Sequence, residues 1–588
     1  MEEYSYDNYT KWCLWSWKDH HCKLYFKKIR ILCLLIRRLN SFIVNNKIES
    51  QQLKITNDNI WLLSQNFKKN EFKYIIIDHV IESFDEFNKL KENLKKIDKE
   101  VLTFLLYCSV NTNITRDANR DEKDVCGKKR VLELNEVFDK NKHMHDFVID
   151  TTHLTINQTG RIIIDFINDK ESNSIEKLLL NESYKTMPSG IKGMHRISTS
   201  PNYPCFFEKA EGAYVWDADN NVYIDFVMGK GPLILGHKNR NIDDSIIEQL
   251  NQGILYPVSS QLSLILAKKI IRLVKSADMV EFYNTGSCAT SAAIELAKFV
   301  THKKHIFSSG YHGWHSWCNG LSNNDYFHDF YYNLDVLNEK LTNNNDVAAV
   351  IISPECTYFS EQYYLNLQEL CIQHNVIFIL DEVKTGFRVS LGGFQELYNL
   401  SPDLSVFSKS MSNGYKIAAL VGKKHFMSKL SDIHTSGTYD FQQLPFAAGI
   451  ATIDFLENND VIFKINQLGE WFINEMNNLF KKRQIAIRAI WSKGSFRFWF
   501  GNSLLEDKFY EAMACFGLLF YPYDNSFLSY AHTELILKDA LEKVDDALGN
   551  KLNEFCGKEW HFNIDDISKI HHKKGFLCNY PGKDGVGK

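Results

Sequence analysis

Leu380-Asp381-Glu382-Val383-Lys384-Thr385-Gly386-Phe387-Arg388, read with the later Phe407-Ser408-Lys409-Ser410-Met411-Ser412-Asn413-Gly414, decides the fold of this chain. An unbroken apolar run, Val376-Ile377-Phe378-Ile379-Leu380, delivers Asp381, and a second short run, Leu404–Ser408, delivers Lys409. Both runs have strand length, and the continuous apolarity of the first is what a strand covered on both faces requires. A lysine amine can hold an aldehyde as a Schiff base, while a carboxylate can keep a pyridine nitrogen protonated so that the ring accepts electrons. Asp381 and Lys409 are therefore the pair that pyridoxal phosphate needs.

Outward from that pair the pattern alternates. Met279–Tyr283 reads as a strand, Ser287–Phe299 as a helix with small residues on its first turns, and Val347–Ser353 as a buried strand. Leu365–His374 then reads as a helix before the Asp381 strand. Such alternation predicts a mixed, mostly parallel sheet with helices on both faces, an α/β fold in which ligands sit at the carboxyl ends of strands. Both Asp381 and Lys409 fall there.

Asn284-Thr285-Gly286-Ser287 lies between a strand and a helix, where free amides and the positive helix end face an anion. Gly286 permits close approach and Ser287 adds a hydroxyl; alone, such a turn is an ordinary helix cap. In Ser309-Gly310-Tyr311-His312-Gly313-Trp314-His315, Tyr311 is the candidate to stack on a flat cofactor ring, with His312 beside it. Without context, both would more often read as turn or core residues.

The stretches Gly212-Ala213-Tyr214-Val215-Trp216-Asp217, Tyr223-Ile224-Asp225-Phe226-Val227-Met228 and Gly231-Pro232-Leu233-Ile234-Leu235-Gly236-His237 precede these motifs. Ser436-Gly437-Thr438 and Phe527-Leu528-Ser529-Tyr530-Ala531-His532-Thr533 follow them. In this order they resemble the class III pyridoxal-phosphate aminotransferases, most closely the glutamate-1-semialdehyde aminomutase branch, over about residues 187–548. The resemblance implies the PLP-dependent transferase fold type I, with a small carboxy-terminal α+β domain, and a homodimer. It implies that Lys409 forms the Schiff base and shuttles a proton between the substrate carbon and the cofactor C4′ carbon. Asp381 would pair with the pyridinium, Tyr311 stack on the ring, Gly286 and Ser287 cradle the phosphate, and Thr438 reach the phosphate of the neighbouring subunit.

Two departures stand out. Cys288 occupies a position where the family usually has Glu, and Gly229-Lys230 stands where the aminomutase branch tends to have Ser-Trp. A point cation in place of a stacking wall favours an anionic substrate, so Lys230 is a substrate candidate; the alternative is that it lies in solvent. Arg196 is a second candidate carboxylate clamp, or a surface arginine. The implied reaction moves an amino group between a small-molecule amino donor and a small keto or aldehyde acceptor. A 1,2-aminomutase acting on a semialdehyde is the nearest alternative, and a catalytically lapsed scaffold or a nucleotide-binding fusion lies outside both.

The amino-terminal region carries a second pattern. Phe72–Asp78, Val101–Cys108 and Asp146–Thr152 read as strands, and Arg116 and Arg120 share a helix face. These resemble the later half of a small P-loop kinase, with the arginines as a lid over phosphates. No glycine-rich phosphate loop occurs in residues 1–71, so a working phosphotransferase is not expected from this part alone. A packing module, a nucleotide or phosphorylated-substrate binding module, and half of a kinase completed by another chain remain open. The run Ile31-Leu32-Cys33-Leu34-Leu35-Ile36, bracketed by basic residues, reads as a buried or surface-lying helix, too short to cross a bilayer.

Composition sets outer limits. A chain of 588 residues exceeds one core, and a prior of roughly 100–200 residues per domain calls for several units. The expected division is 1–185, with the kinase-like module at about 54–170; an arm and small-domain segment at 186–275; the cofactor-binding domain at 276–450; the small domain at 451–548; and a polar tail at 549–588. A net charge of −4 offers no basic field for nucleic acid. The 13 cysteines show no metal-ligand spacing, which points to reduced thiols, no metal site and a cytosolic location without membrane attachment.

Overall fold

A computed structural model of the chain describes residues 203–318 and 326–557 and, before them, the backbone of Ile31–Leu35 and parts of 60–191. Arg120, Arg196 and the tail beyond Gly557 lie outside the described residues. The chain divides into two units, Met1–Pro201 and Asn202–Lys588.

In the first unit, strands β1 (Ile31–Leu35) and β2 (Tyr74–Asp78) pair in parallel, with Ile31 opposite Tyr74 and Leu35 opposite Asp78. Ile31–Leu35 of the apolar run read above as a helix is thus a strand. Five residues make little more than one helical turn, whereas an unbroken apolar run is the signature of a parallel strand. Strands β3 (Phe104–Tyr107) and β4 (Phe147–Asp150) form a second parallel pair, and the Phe104 and Phe147 rings stack at 4.9 Å. The helix Val110–Ala118 follows β3, capped by the Ser109 hydroxyl accepting from the Thr112 amide.

The second unit opens with strands β5 (Phe207–Glu211), β6 (Tyr214–Asp217) and β7 (Val222–Asp225). Its central strands are β8 (Met279–Tyr283), β9 (His305–Ser309), β10 (Phe327–Asp329), β11 (Val347–Ile352), β12 (Ile377–Glu382), β13 (Leu404–Phe407) and β14 (Ala418–Gly422). Among the described residues these seven form one sheet in the order β10-β9-β11-β12-β13-β14-β8, in which only β14 runs against the others. The mixed, mostly parallel sheet expected from the alternation is observed. Alternate residues along β12 serve two separate cores: Ile377 and Ile379 pack with Ala293 and Leu296 of the helix Gly286–Thr301, while Phe378 and Leu380 pack with Tyr364 and Leu367 on the other face. That double burial is why β12 shows no polar alternation.

Strands β15 (Ile487–Trp491), β16 (Ser495–Phe500) and β18 (Ser526–Phe527) form an antiparallel sheet near the carboxy terminus. The short strand β17 (Leu518–Leu519) instead pairs in parallel with β7. The amides of Phe527 and Tyr530 donate to the carbonyls of Phe226 and Ile234, so motifs some 300 positions apart lie against each other. No described helix is long and apolar enough to cross a membrane.

Candidate active site

Strands β12 and β13 are parallel neighbours with Asp381 opposite Val406, so their carboxyl ends bring Asp381 and the Lys409 turn to the same edge of the sheet. Asp381 is 2% exposed. Its Oδ1 accepts from the Val383 amide at 3.1 Å, and its Oδ2 accepts from His312 Nδ1 at 2.8 Å. A buried carboxylate is costly without such donors, and the two contacts hold it in one orientation. His312 is itself 3% exposed, and its Nε2 has no hydrogen-bond partner among the described residues.

Lys409 starts a short 3-10 turn, Lys409–Ser412, at φ 45°, a left-handed conformation that costs a non-glycine residue of order 1 kcal/mol. Burial, and then the nearby Lys384 ammonium, push its amine down to about 8; Asp524 and Asp381 pull the other way. An amine that readily loses its proton is a nucleophile.

The turn at 284–287 lies between β8 and a helix, where its sequence places it. The helix Gly286–Thr301 is capped by the Thr285 hydroxyl, which accepts from the Cys288 amide at 3.3 Å, and the amides of Gly286 and Ser287 lie ahead of the first intrahelical bond. The departure at Cys288 leaves this cap in place, and the Thr285 hydroxyl donates to its Sγ at 3.1 Å. Space is kept open by two glycines: a Cβ on Gly286 would come 2.7 Å from Val383 Cγ2, and one on Gly313, at φ 108°, 2.3 Å from Ser287 Oγ. The adjacent turn Thr438–Phe441 is tied in through Asp440, whose carboxylate accepts from Asn284 Nδ2 and the Gly437 amide. Thr438 itself is exposed. Tyr311 is 44% exposed, in the loop that follows β9.

Asp381, Lys409, His312, Gly286 and Ser287 are thus assembled around one sheet edge. Helix-terminal amides, a glycine-cleared cradle, a buried carboxylate and a lysine with a weakened hold on its proton fit pyridoxal phosphate. Lys230 is exposed, and its Nζ stands 5.1 Å over the Tyr521 ring. It belongs to a run, Met228 to Gly231, in which every φ is positive.

Three features escaped the sequence reading. Lys384 forms an ion pair with Glu355, which is 4% exposed. Arg388 is 2% exposed and donates to the carbonyls of Gly231 (2.6 Å), Gly494 (2.9 Å) and Leu528 (3.0 Å) and to Ser410 Oγ (3.1 Å), with Phe527 beneath its guanidinium. Burial pulls its basicity down to about 9. It ties the residue after Lys409 to three other segments of the unit. Glu382 is fully buried, accepts from the Phe394 and Gln395 amides and the Thr385 hydroxyl, and is pushed up to about 7 by burial. All but Glu355 stood in the opening motif, but spacing carries no sign of which charges are turned inward.

In the first unit Arg116 is folded onto its own sheet, donating to the Thr151 hydroxyl at 3.0 Å and carbonyl at 2.6 Å.

A profile of the family described as Aminotransferase class-III matches residues 197–551. Over 401 residues the chain is 33% identical to the 3-aminobutyryl-CoA aminotransferase of Cloacimonas acidaminovorans, spanning 63% of this chain and 95% of that one. It is 32% identical over 400 residues to the glutamate-1-semialdehyde 2,1-aminomutase of Sulfolobus acidocaldarius, spanning 60% and 94%. The PLP internal aldimine form of the FumI protein of Sphingopyxis sp. MTA144 superposes with a TM-score of 0.62 at 26% identity, over 65% of this chain and 98% of that one.

Proposed function

Because the chain belongs to the class III aminotransferases, which use pyridoxal phosphate and small-molecule amino donors and acceptors, we propose that Lys409 and Asp381 are its reacting pair in moving an amino group to a small keto or aldehyde acceptor. The observation that carries this reading is the arrival of both residues at the carboxyl ends of adjacent parallel strands, with Asp381 buried and oriented by His312. Pyridoxal phosphate, when bound, supplies the electron sink that lets the amine-bearing carbon release its proton.

Lys409 would hold the cofactor through its amine and would move a proton on and off the substrate carbon. Asp381 holds the proton on the pyridine nitrogen, and the His312 Nδ1–H keeps the second carboxylate oxygen from turning away. Tyr311 would cover the ring, and the Gly286 and Ser287 amides would receive the phosphate. In a homodimer the partner subunit's Thr438 completes the phosphate site. Supporting that dimer, exposed Ile254, Leu255, Val258 and Tyr439 make an apolar surface around the Thr438 turn, joined where the Gln443 amide donates to the Ile254 carbonyl at 2.9 Å. The described cysteines are free thiols, in keeping with a cytosolic enzyme.

The relative named as an aminomutase keeps a second reading, an internal transfer between adjacent carbons. Absorption spectra of wild type and Lys409→Ala, with pyridoxal phosphate and then with amino donors, test the first reading. It expects a visible band that needs Lys409 and bleaches with an amine. A keto product released into solution excludes an obligate mutase, and a wild type without the band overturns both. For the amino-terminal unit, a packing role agrees best with Arg116 being tied to Thr151. Heat from ATP and magnesium titrated into the whole chain, above the background of a truncated control, would instead make it a nucleotide-binding module.

A further inference from the structure

The loop that follows β9 carries Tyr311 and His312, and it is tied to the helix Gly286–Thr301 by side chains that amino transfer itself does not use. At the centre of the tie is Ser291. Its hydroxyl lies 2.7 Å from His315 Nδ1, accepts the Trp317 indole N–H at 2.8 Å, and stands 2.9 Å from the Ser287 carbonyl one turn back along the helix. Taking Tyr311, His312, Asp381 and the Gly286 and Ser287 amides as the pyridoxal phosphate site, we propose that Ser291 is a positioning residue of that site. By gripping His315 and Trp317 it seats the loop on the helix start, so that the part that covers the ring and the part that meets the phosphate are held as one piece.

Hydrogen accounting shows that the tie holds whichever tautomer His315 adopts. An indole N–H can only donate, so the Ser291 oxygen accepts from Trp317 and keeps its one hydrogen to give. That hydrogen goes either to His315 Nδ1 or to the Ser287 carbonyl, and in the second case His315 donates from Nδ1 to the hydroxyl oxygen. Both arrangements join one helix residue to two loop residues. The neighbouring Thr290, 1% exposed, adds a third link through its hydroxyl, which donates to the His312 carbonyl at 2.9 Å. What is held is the cofactor-facing part of the loop. The Trp317 and His312 rings lie nearly parallel with centroids 6.2 Å apart, and His312 Nδ1 is the group that meets Asp381 at 2.8 Å. Between them Gly313 passes so near the helix start that a Cβ there would come 2.3 Å from Ser287 Oγ, which leaves the loop no slack toward the phosphate turn. Ser291 therefore acts through His315 and Trp317 on the seating of Tyr311 and His312, and side chains held in this way keep a site in its productive geometry.

The test compares the full chain as wild type, Ser291→Ala, Ser291→Thr, His315→Ala and His315→Asn. Ser291→Thr keeps the hydroxyl, and His315→Asn keeps a polar atom that can donate or accept near the Nδ1 position. In the cofactor-free protein, hydrogen exchange read by mass spectrometry on peptides covering 310–317 reports the seating of the loop. Equilibrium dialysis then gives the affinity for pyridoxal phosphate, and isothermal titration that for inorganic phosphate. We expect Ser291→Ala and His315→Ala to speed exchange in the loop and to weaken pyridoxal phosphate about 10-fold, the upper end of what one hydrogen bond is worth. Inorganic phosphate should bind unchanged, because the helix start that meets it is capped by Thr285 and not by Ser291. Ser291→Thr and His315→Asn should each restore much of both readouts, which separates seating from a folding defect. Either readout moving without the other, equal losses for pyridoxal phosphate and inorganic phosphate, or conservative variants no better than the alanines would overturn the proposal. A wild type that binds no pyridoxal phosphate would instead refute the cofactor reading on which it rests.

Discussion

At pH 7 an ordinary lysine with a pKa of 10.5 is neutral in about three molecules per ten thousand, whereas an amine lowered to about 8 is neutral in roughly one in ten. The pseudo-first-order acylation of Lys409 in the cofactor-free protein should therefore run faster than that of ordinary exposed lysines, by at most about 300-fold before access and the lower nucleophilicity of a weaker base are counted. Its pH profile should have a midpoint near 8. Labelling with an amine-directed acylating reagent from pH 6 to 11, followed by peptide mass spectrometry, measures both sites in one sample. Since burial is the first cause and the Lys384 ammonium the second, Lys384→Met should raise the midpoint while leaving it below that of surface lysines. Asp381→Asn should lower it, because a carboxylate that favours the protonated amine has been removed. The same shift has a sign in stability. Below pH 8 the amine is protonated in both folded and unfolded chains and its burial costs about 3 kcal/mol, a cost relieved as pH rises from about 8 to about 10.5, where only the unfolded chain holds the proton. A Lys409 midpoint at 10 or above, unmoved by Lys384→Met, would refute the argument that this site is preset for nucleophilic attack.

Gly313→Ala forces a Cβ against Ser287 Oγ at a positive φ, and should weaken pyridoxal phosphate binding by about 10- to 100-fold with the fold retained, as read by equilibrium dialysis and circular dichroism. Glu382 runs opposite to Lys409 in pH: raised from 4.5 to about 7, it binds its proton more tightly in the folded chain, so wild type should lose about 3 kcal/mol of stability as pH rises from about 4.5 to about 7. Glu382→Gln should flatten that slope in thermal melts, even though its amide meets N–H donors and lowers stability throughout. Arg388→Lys cannot reach four acceptors and Phe527 together, so it should destabilise the second unit by about 3 kcal/mol or more in denaturant titrations, with Arg388→Met worse. Unchanged midpoints in these titrations would show that the staple is dispensable.

Local chemistry accounts for what could be read along the chain. The strands β11 and β12 were visible because burial on both faces demands unbroken apolar runs, β8 and β13 as short, mostly apolar runs, and the helix Gly286–Thr301 because a Thr-Gly-Ser cap and a small-residue face announce it. The helix read at Leu365–His374 begins earlier, at Glu361, where the Ser360 hydroxyl caps it by accepting from the Tyr363 amide. The run at 31–36 went the other way because six apolar residues fit a short strand as well as a helical turn, and only a partner strand decides between them.

By itself the sequence determined the α/β alternation, the delivery of Asp381 and Lys409 to strand ends, and the anion-ready turn at Gly286-Ser287, because each follows from a periodicity or a cap a few residues long. Tertiary structure alone decided the electrostatic setting of those residues. The His312 contact to Asp381 spans 69 positions, Arg388 reaches Gly231, Gly494 and Leu528, and Lys384, which helps lower the Lys409 amine, is paired with Glu355 from a different strand end. Coulomb energy and desolvation depend on distance and burial, and neither is a function of separation along the chain.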